Sequence, residues 1–279
     1  MSQVTVIAEV GINANGNLLT ALQLMDEAKK AGADLIKFQK RSLDKVYSKE
    51  ELDKPRESPW GTTNRQQKEG LEFSKEAYDE INLHSKEIGL PFFASAWDLE
   101  SQDFLRQYNL PFNKVASAML SHTELLKMIA SEKKRTFLST GLHNLEEIQT
   151  AYNIFYDAGC PITLMHCNGT YPQSDSEINL KCMETLRNRF KCDVGFSSHT
   201  TGIMAPVLAV ALGATVVEAH ITLNRASYGS DQAASLEPHG FAKMVEYIRY
   251  AEQSLGNGQK IIYPSELPIR KKLARTKDY

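Results

Sequence analysis

The sequence has no apolar stretch of 18 residues, so no segment is long enough to cross a bilayer as a helix, and no secretory signal pattern opens it. Cysteine is scarce. Cys160, Cys167, Cys182 and Cys192 make up the whole set of 4, at spacings that fit neither a zinc knuckle nor a redox pair. Reduced thiols in a soluble cytoplasmic protein are therefore expected. An excess of one charge is missing too: 32 basic residues stand against 34 acidic ones, a formal net of -2. No basic run is longer than three residues, Arg270-Lys271-Lys272 among them, which argues against nucleic acid as the main ligand. Low-complexity tracts and internal linkers are also absent. What remains is a chain of 279 residues, 42% hydrophobic, long enough for one large core; a domain over 1–262 followed by a tail over 263–279 is expected.

Short apolar runs alternate with amphipathic segments along the chain. Strands are predicted over Val4 to Gly11, Asp34 to Lys40, Pro91 to Trp97, Phe112 to Ser117, Thr136 to Thr140, Ile162 to Cys167, Val194 to Ser198 and Thr215 to Thr222. Between them, Leu18 to Ala31 has apolar residues at helical spacing. Ser74, His122, Asn144 and Pro238 open other helices, and Gly89, Gly159 and Gly213 close several. Eight such units predict a single-domain α/β fold, a (β/α)8 TIM barrel, with a doubly wound open sheet as the lesser option. Two connections, Arg41 to Phe73 and Leu223 to Glu237, are long for barrel loops, and long loops in this fold usually carry function.

In such barrels the chemistry gathers at the C-terminal ends of the strands. Two of those ends carry histidine, in Ser197-Ser198-His199-Thr200 and Glu218-Ala219-His220-Ile221-Thr222. A lone strand-end histidine is usually structural, but two delivered by successive strands to one mouth point to a metal site. The other ends offer Glu9, then Lys37 with Gln39 on one face, Ser95, Lys114 with Ser117, Ser139 with Thr140, and His166 with Asn168 and Tyr171 beyond. Ammonium groups inside apolar strands need a counter-ion, so Lys37 and Lys114 with the surrounding hydroxyls predict a cradle for a small phosphorylated carboxylate. His84, His122, His143 and His239 fall on helices or their caps and read as surface residues.

Read together, the segments Ala8-Glu9-Val10-Gly11-Ile12-Asn13, Ile36-Lys37-Phe38-Gln39, Phe112-Asn113-Lys114-Val115-Ala116-Ser117, Leu138-Ser139-Thr140-Gly141, Ser197-Ser198-His199-Thr200-Thr201-Gly202 and Gly229-Ser230-Asp231 resemble the N-acetylneuraminate (sialic acid) synthase family. The order and spacing hold from about residue 5 to residue 258. The resemblance implies a carbon–carbon bond-forming transferase that condenses phosphoenolpyruvate with the open-chain aldehyde of an aldose, giving a 2-keto-3-deoxy sugar acid and phosphate. It implies that Lys37, Ser95, Lys114, Ser117, Ser139 and Ser197 contact phosphoenolpyruvate, and that Gln39, Tyr171 and Asp231 contact the sugar. His199 and His220 would hold a divalent metal, manganese or magnesium first with zinc or cobalt as alternatives, and Glu9 would lie beside the reacting centre. It also implies a homodimer. The resemblance covers the barrel only; the antifreeze-like domain that family members carry is not among these residues, and Lys272 is the nearest match to a tail lysine that touches phosphoenolpyruvate there.

The pattern departs from the family at the sugar end. Met119 stands where an acidic sugar contact is common, Ala14 and Gln232 where histidine is common. An acceptor other than N-acetylmannosamine is therefore expected. Two further readings are a heptulosonate or octulosonate phosphate-type synthase and a non-catalytic sugar-binding barrel of a polysaccharide pathway.

Overall fold

Ten strands form in the computed structural model, which describes residues 3–275. They are β1 (Thr5–Glu9), β2 (Leu35–Lys40), β3 (Pro55–Ser58), β4 (Gly61–Thr63), β5 (Phe92–Ala96), β6 (Asn113–Val115), β7 (Thr136–Ser139), β8 (Ile162–His166), β9 (Asp193–Ser198) and β10 (Val216–His220). Eight of them close a parallel barrel in the order β1-β10-β9-β8-β7-β6-β5-β2, so the barrel expected from the alternation of strand and helix is what the chain forms. Helices pack on its outside by one stripe each. Leu18–Lys30 shows the rule: Ala21, Leu24, Met25 and Ala28 are its buried residues, at steps of three and one, and Asn17 caps its start by accepting from the Thr20 N–H. Inside the barrel, space is tight enough that β9 needs a glycine. A Cβ on Gly195 would lie 2.5 Å from Met165 Sδ and 2.7 Å from the Val216 carbonyl oxygen.

Register places the chemistry. Glu9 is opposite His220 on one side and Lys37 on the other; Gln39 is opposite Ser95, Ser95 opposite Lys114, and Ser197 opposite Glu218. Polar residues that are scattered through the sequence thus form one layer at the C-terminal rim.

Three expectations are corrected. Phe112 to Ser117 supplies only the three strand residues of β6, because the chain turns into a 3-10 helix at Ser117–Met119. That turn half-buries Met119 against the hydrophobic core, outside the lining of the mouth pocket. The connection Arg41 to Phe73 is no open loop: it holds helices Leu43–Val46, Lys49–Asp53 and Asn64–Leu71 with the antiparallel hairpin of β3 and β4. Trp60 at that hairpin meets Tyr228 of the other long connection edge to face, ring centroids 5.6 Å apart. Beyond the last barrel helix, Pro238–Leu255, a short helix Leu267–Leu273 lies exposed, Lys272 included. Among the described residues no helix is long and apolar enough to cross a membrane.

Candidate active site

The mouth of the barrel narrows to a pocket of about 190 Å3. Glu9, Lys37, Gln39, Ser95, Lys114, Ser117, Ser139, Tyr171, Ser197, His199 and His220 all line it, joined by Glu218, Trp97, Ala116, Ala118, Leu142 and Gly169. Asp231 does not: its carboxylate sits behind His220, with Oδ2 3.9 Å from Nδ1. A hollow of about 650 Å3 at the opposite end of the barrel is larger, but none of the strand-end residues named above lines it, and its acid, Asp193, is paired with Arg135 at 2.8 Å.

The lysines differ from expectation in one respect. Their counter-ions are built in. Lys37 Nζ lies 2.8 Å from Glu9 Oε2 and 3.5 Å from Glu218 Oε1, and Lys114 Nζ lies 3.9 Å from the same Glu218 oxygen. Ser197 also donates to Glu218 at 3.3 Å, Lys114 donates to Ser139, and Gln39 donates to Glu9 at 2.9 Å. Two cations and two carboxylates, all buried, therefore balance one another before any ligand arrives. Ser95 Oγ remains a buried donor with no protein partner, and the second Glu218 oxygen is likewise unpaired.

Environment splits the two acids. Burial pushes the Glu9 carboxyl above the usual carboxylate value despite Lys37 beside it. Burial acts on Glu218 in the same sense, but Lys114 and Lys37 outweigh it and hold that carboxyl below the usual value. Lys114 is depressed by burial, which the attraction of Glu218 does not make up, whereas Lys37, between two acids, is raised. Two neighbouring carboxyls pushed in opposite directions by their surroundings are an arrangement that suits general acid–base chemistry.

The histidine rings stand 5.6 Å apart, centroid to centroid, nearly edge to face. His199 Nδ1 donates to the Asn168 carbonyl at 2.5 Å, which fixes the tautomer and leaves the Nε2 lone pair facing the mouth. Tyr171 covers that lone pair: its ring stacks on His199 at 3.9 Å and its hydroxyl donates to Nε2 at 2.7 Å. His220 Nδ1 is buried without a partner. His166, whose role the sequence left open, is a packing residue; its Nε2 meets the Ile178 carbonyl at 2.8 Å and its ring lies against Phe196.

Burial and the neighbouring His220 bring the His199 imidazole down to about 3. An unfolded histidine titrates near ~6.5, so the unfolded chain takes up this proton first. Stability from this residue is complete above about pH 6.5 and is lost as pH falls towards 3. Urea denaturation of the metal-free protein at pH 7, 6, 5 and 4 should show a steeper loss for the wild type than for His199→Asn; equal slopes would contradict the assignment.

Six lining residues were missed by sequence reading, Glu218 and Trp97 chief among them. Glu218 shares a strand face with His220, a visible signal, yet its task as counter-ion depends on barrel closure. Trp97 follows β5 and carried no signal beyond its place at a strand end.

With this geometry in place, the likeness to known proteins is specific. The NeuB family matches residues 24–260. The N,N'-diacetyllegionaminic acid synthase of Campylobacter jejuni is 37% identical over 288 residues, spanning 100% of this chain and 86% of that protein. Human N-acetylneuraminate-9-phosphate synthase is 35% identical over 274 residues, covering 97% of this chain and 76% of its own. The crystal structure of the N-acetylneuraminic acid (sialic acid) synthetase of Leptospira borgpetersenii, in complex with citrate, superimposes with a TM-score of 0.86 at 30% identity, over 99% of this chain and 94% of that one. The motifs, the barrel and these similarities agree: the chain belongs to the NeuB family.

Proposed function

We propose that this chain condenses phosphoenolpyruvate with the open-chain aldehyde of an N-acylated aldose, releasing phosphate and a 2-keto-3-deoxy sugar acid. It is a carbon–carbon bond-forming enzyme of the nonulosonate synthase type. The observation that carries the substrate reading is the pairing of two buried lysines with free hydroxyl donors in the same pocket as two histidines. C3 of phosphoenolpyruvate attacks the aldehyde carbon, and the aldehyde oxygen ends as a hydroxyl. Water adds at C2, the C2–O bond breaks, and phosphate leaves. Lys37, Lys114, Ser95, Ser117, Ser139 and Ser197 would bind the phosphate and carboxylate oxygens and hold the reacting carbons together. Glu9, with its raised carboxyl, would take the proton from the incoming water.

His199 and His220 fit a divalent ion. His199 Nε2 carries a lone pair whose side is set by the Nδ1 bond to Asn168 and which only the Tyr171 hydroxyl occupies, His220 Nδ1 makes no hydrogen bond, and no group of three histidine, cysteine or acidic residues placed to hold a metal exists among the described residues. Oxygen atoms of water and substrate would complete the shell, which favours manganese or magnesium over zinc or cobalt. When bound, the ion supplies polarisation of the aldehyde. Tyr171 must leave Nε2 for this, and its phenol is then free to meet the sugar.

Trp97, Ala116, Ala118 and Leu142 give the acceptor side an apolar wall, which suits acyl groups such as those in the name of the Campylobacter relative. The departure at Met119 supports no conclusion about the acceptor, since that half-buried side chain packs against the core and does not line the pocket. The proposal also includes a cytoplasmic homodimer with a barrel over residues 1–262 and a tail after it. Four free cysteines support the reducing compartment, and exposed Ile261, Ile262, Leu267 and Ile269 support self-association.

Phosphate release and product mass, measured with phosphoenolpyruvate and manganese against a panel of aldoses and aldose phosphates, test the reading. Turnover with a free N-acetylated aldose is expected. Turnover only with aldose phosphates that lack an acylamino group would favour a heptulosonate- or octulosonate-type synthase, and binding of phosphoenolpyruvate without turnover on any acceptor would favour a sugar-binding barrel.

A further inference from the structure

Ser117, Gly141 and Cys167 follow closely on the three adjacent strands β6, β7 and β8, and they converge at the pocket wall, which Ser117 lines. Cys167 does not line the pocket. Only 6% of it is exposed, towards an outer groove it shares with His166 and Asn168. Its sulfur lies 3.2 Å from the Gly141 nitrogen and 3.2 Å from Ser117 Oγ. The approach is close: a Cβ on Gly141 would lie 3.0 Å from both the sulfur and that hydroxyl, so a side chain there would push against the pair.

Of the two bonds, only the one from Gly141 has a direction fixed by its donor. A backbone N–H can only donate, so Gly141 donates to the sulfur. Between the Cys167 thiol and the Ser117 hydroxyl either group can donate; a thiol that donates makes Ser117 Oγ the acceptor. Ser117 has no other side-chain partner; with its oxygen accepting from the thiol, its own proton is turned away from Cys167 and into the pocket, on the side of Lys114 and Ser139.

We infer that Cys167 is a positioning residue for phosphoenolpyruvate: its thiol orients the Ser117 hydroxyl so that it donates to an anionic oxygen of the substrate. The inference rests on the reading of the pocket as a phosphoenolpyruvate site. It gives a task to a buried thiol that otherwise takes no part in the site.

Titration calorimetry with phosphoenolpyruvate on the full-length wild type and on Cys167→Ala, Cys167→Ser, Ser117→Ala and the Cys167→Ala/Ser117→Ala double variant tests it. Losing an oriented hydrogen bond to a charged oxygen should weaken binding by about tenfold in Cys167→Ala. Serine supplies the same donor and acceptor, so Cys167→Ser should bind within about threefold of wild type. In the Ser117→Ala background, Cys167→Ala should add less than about twofold, because the hydroxyl it orients is gone. Unchanged affinity in Cys167→Ala, failure of serine to rescue it, or full additivity with Ser117→Ala would each overturn the inference. A wild type that does not bind phosphoenolpyruvate defeats the parent reading instead, so the two failures are told apart.

Discussion

His220→Ala should lower manganese-supported turnover by at least about a thousandfold, roughly 4 kcal/mol of lost transition-state stabilisation, while the protein stays folded. The ring sits at the end of β10, 4% exposed, and makes no hydrogen bond that the fold depends on; its Nδ1 is unbonded, with the Asp231 carboxylate 3.9 Å away. A buried polar atom kept without a partner is a cost with no structural return, which a bound ion would remove. Packing alone is lost with the ring, a cavity term of about 2 kcal/mol in a protein of this size. The check is paired: turnover with added manganese after chelation, and manganese affinity by electron paramagnetic resonance. His199→Ala should behave alike. Activity that survives chelation, or an affinity for manganese unchanged in both variants, would contradict the assignment.

The second large effect is on stability. Lys37→Met should destabilise the fold by about 3–5 kcal/mol, because it leaves buried carboxylates without their cation. Nζ of Lys37 is the nearest positive charge to both Glu9 and Glu218, and Lys114 is 3.9 Å from Glu218. A fall of about 10 °C in melting temperature is expected. Adding Glu9→Gln to Lys37→Met should restore more than half of the loss, since the pair then carries one cation and one anion. Calorimetry of the four proteins of this double-mutant cycle measures the coupling directly. A Lys37→Met protein as stable as wild type would show that the lysine and the acids do not depend on each other. Turnover should be lost in every variant lacking Lys37.

The barrel was legible because its strands are short runs of valine, isoleucine, leucine and phenylalanine ended by polar residues, while the helices between them keep one apolar stripe. The hairpin of β3 and β4 was not. Pro55-Arg56-Glu57 is wholly exposed, so no hydrophobic alternation marks it, and it is held by its own ladder and the helix that follows. The residues of the site were legible as types at strand ends, since each sits where a barrel strand reaches the rim. Their pairing was not. Whether Lys37 faces a ligand or Glu9 depends on the register between β1 and β2, and whether Glu218 joins them depends on β10 closing against β1, a contact across most of the chain. Met119 misled for a local reason: the 3-10 turn after β6 breaks the two-residue alternation that would have aimed it at the mouth.

The contact between Trp60 and Tyr228 has a practical consequence. The chain has 2 tryptophans, and the other, Trp97, lines the pocket. Replacing Trp97 by phenylalanine leaves a single indole whose emission reports on the separation of the two long connections. Restoring Trp97 and replacing Trp60 leaves one that reports on the sugar wall. Two single-fluorophore proteins, made without any attached dye, would thus follow rim and interior separately in real time during a turnover.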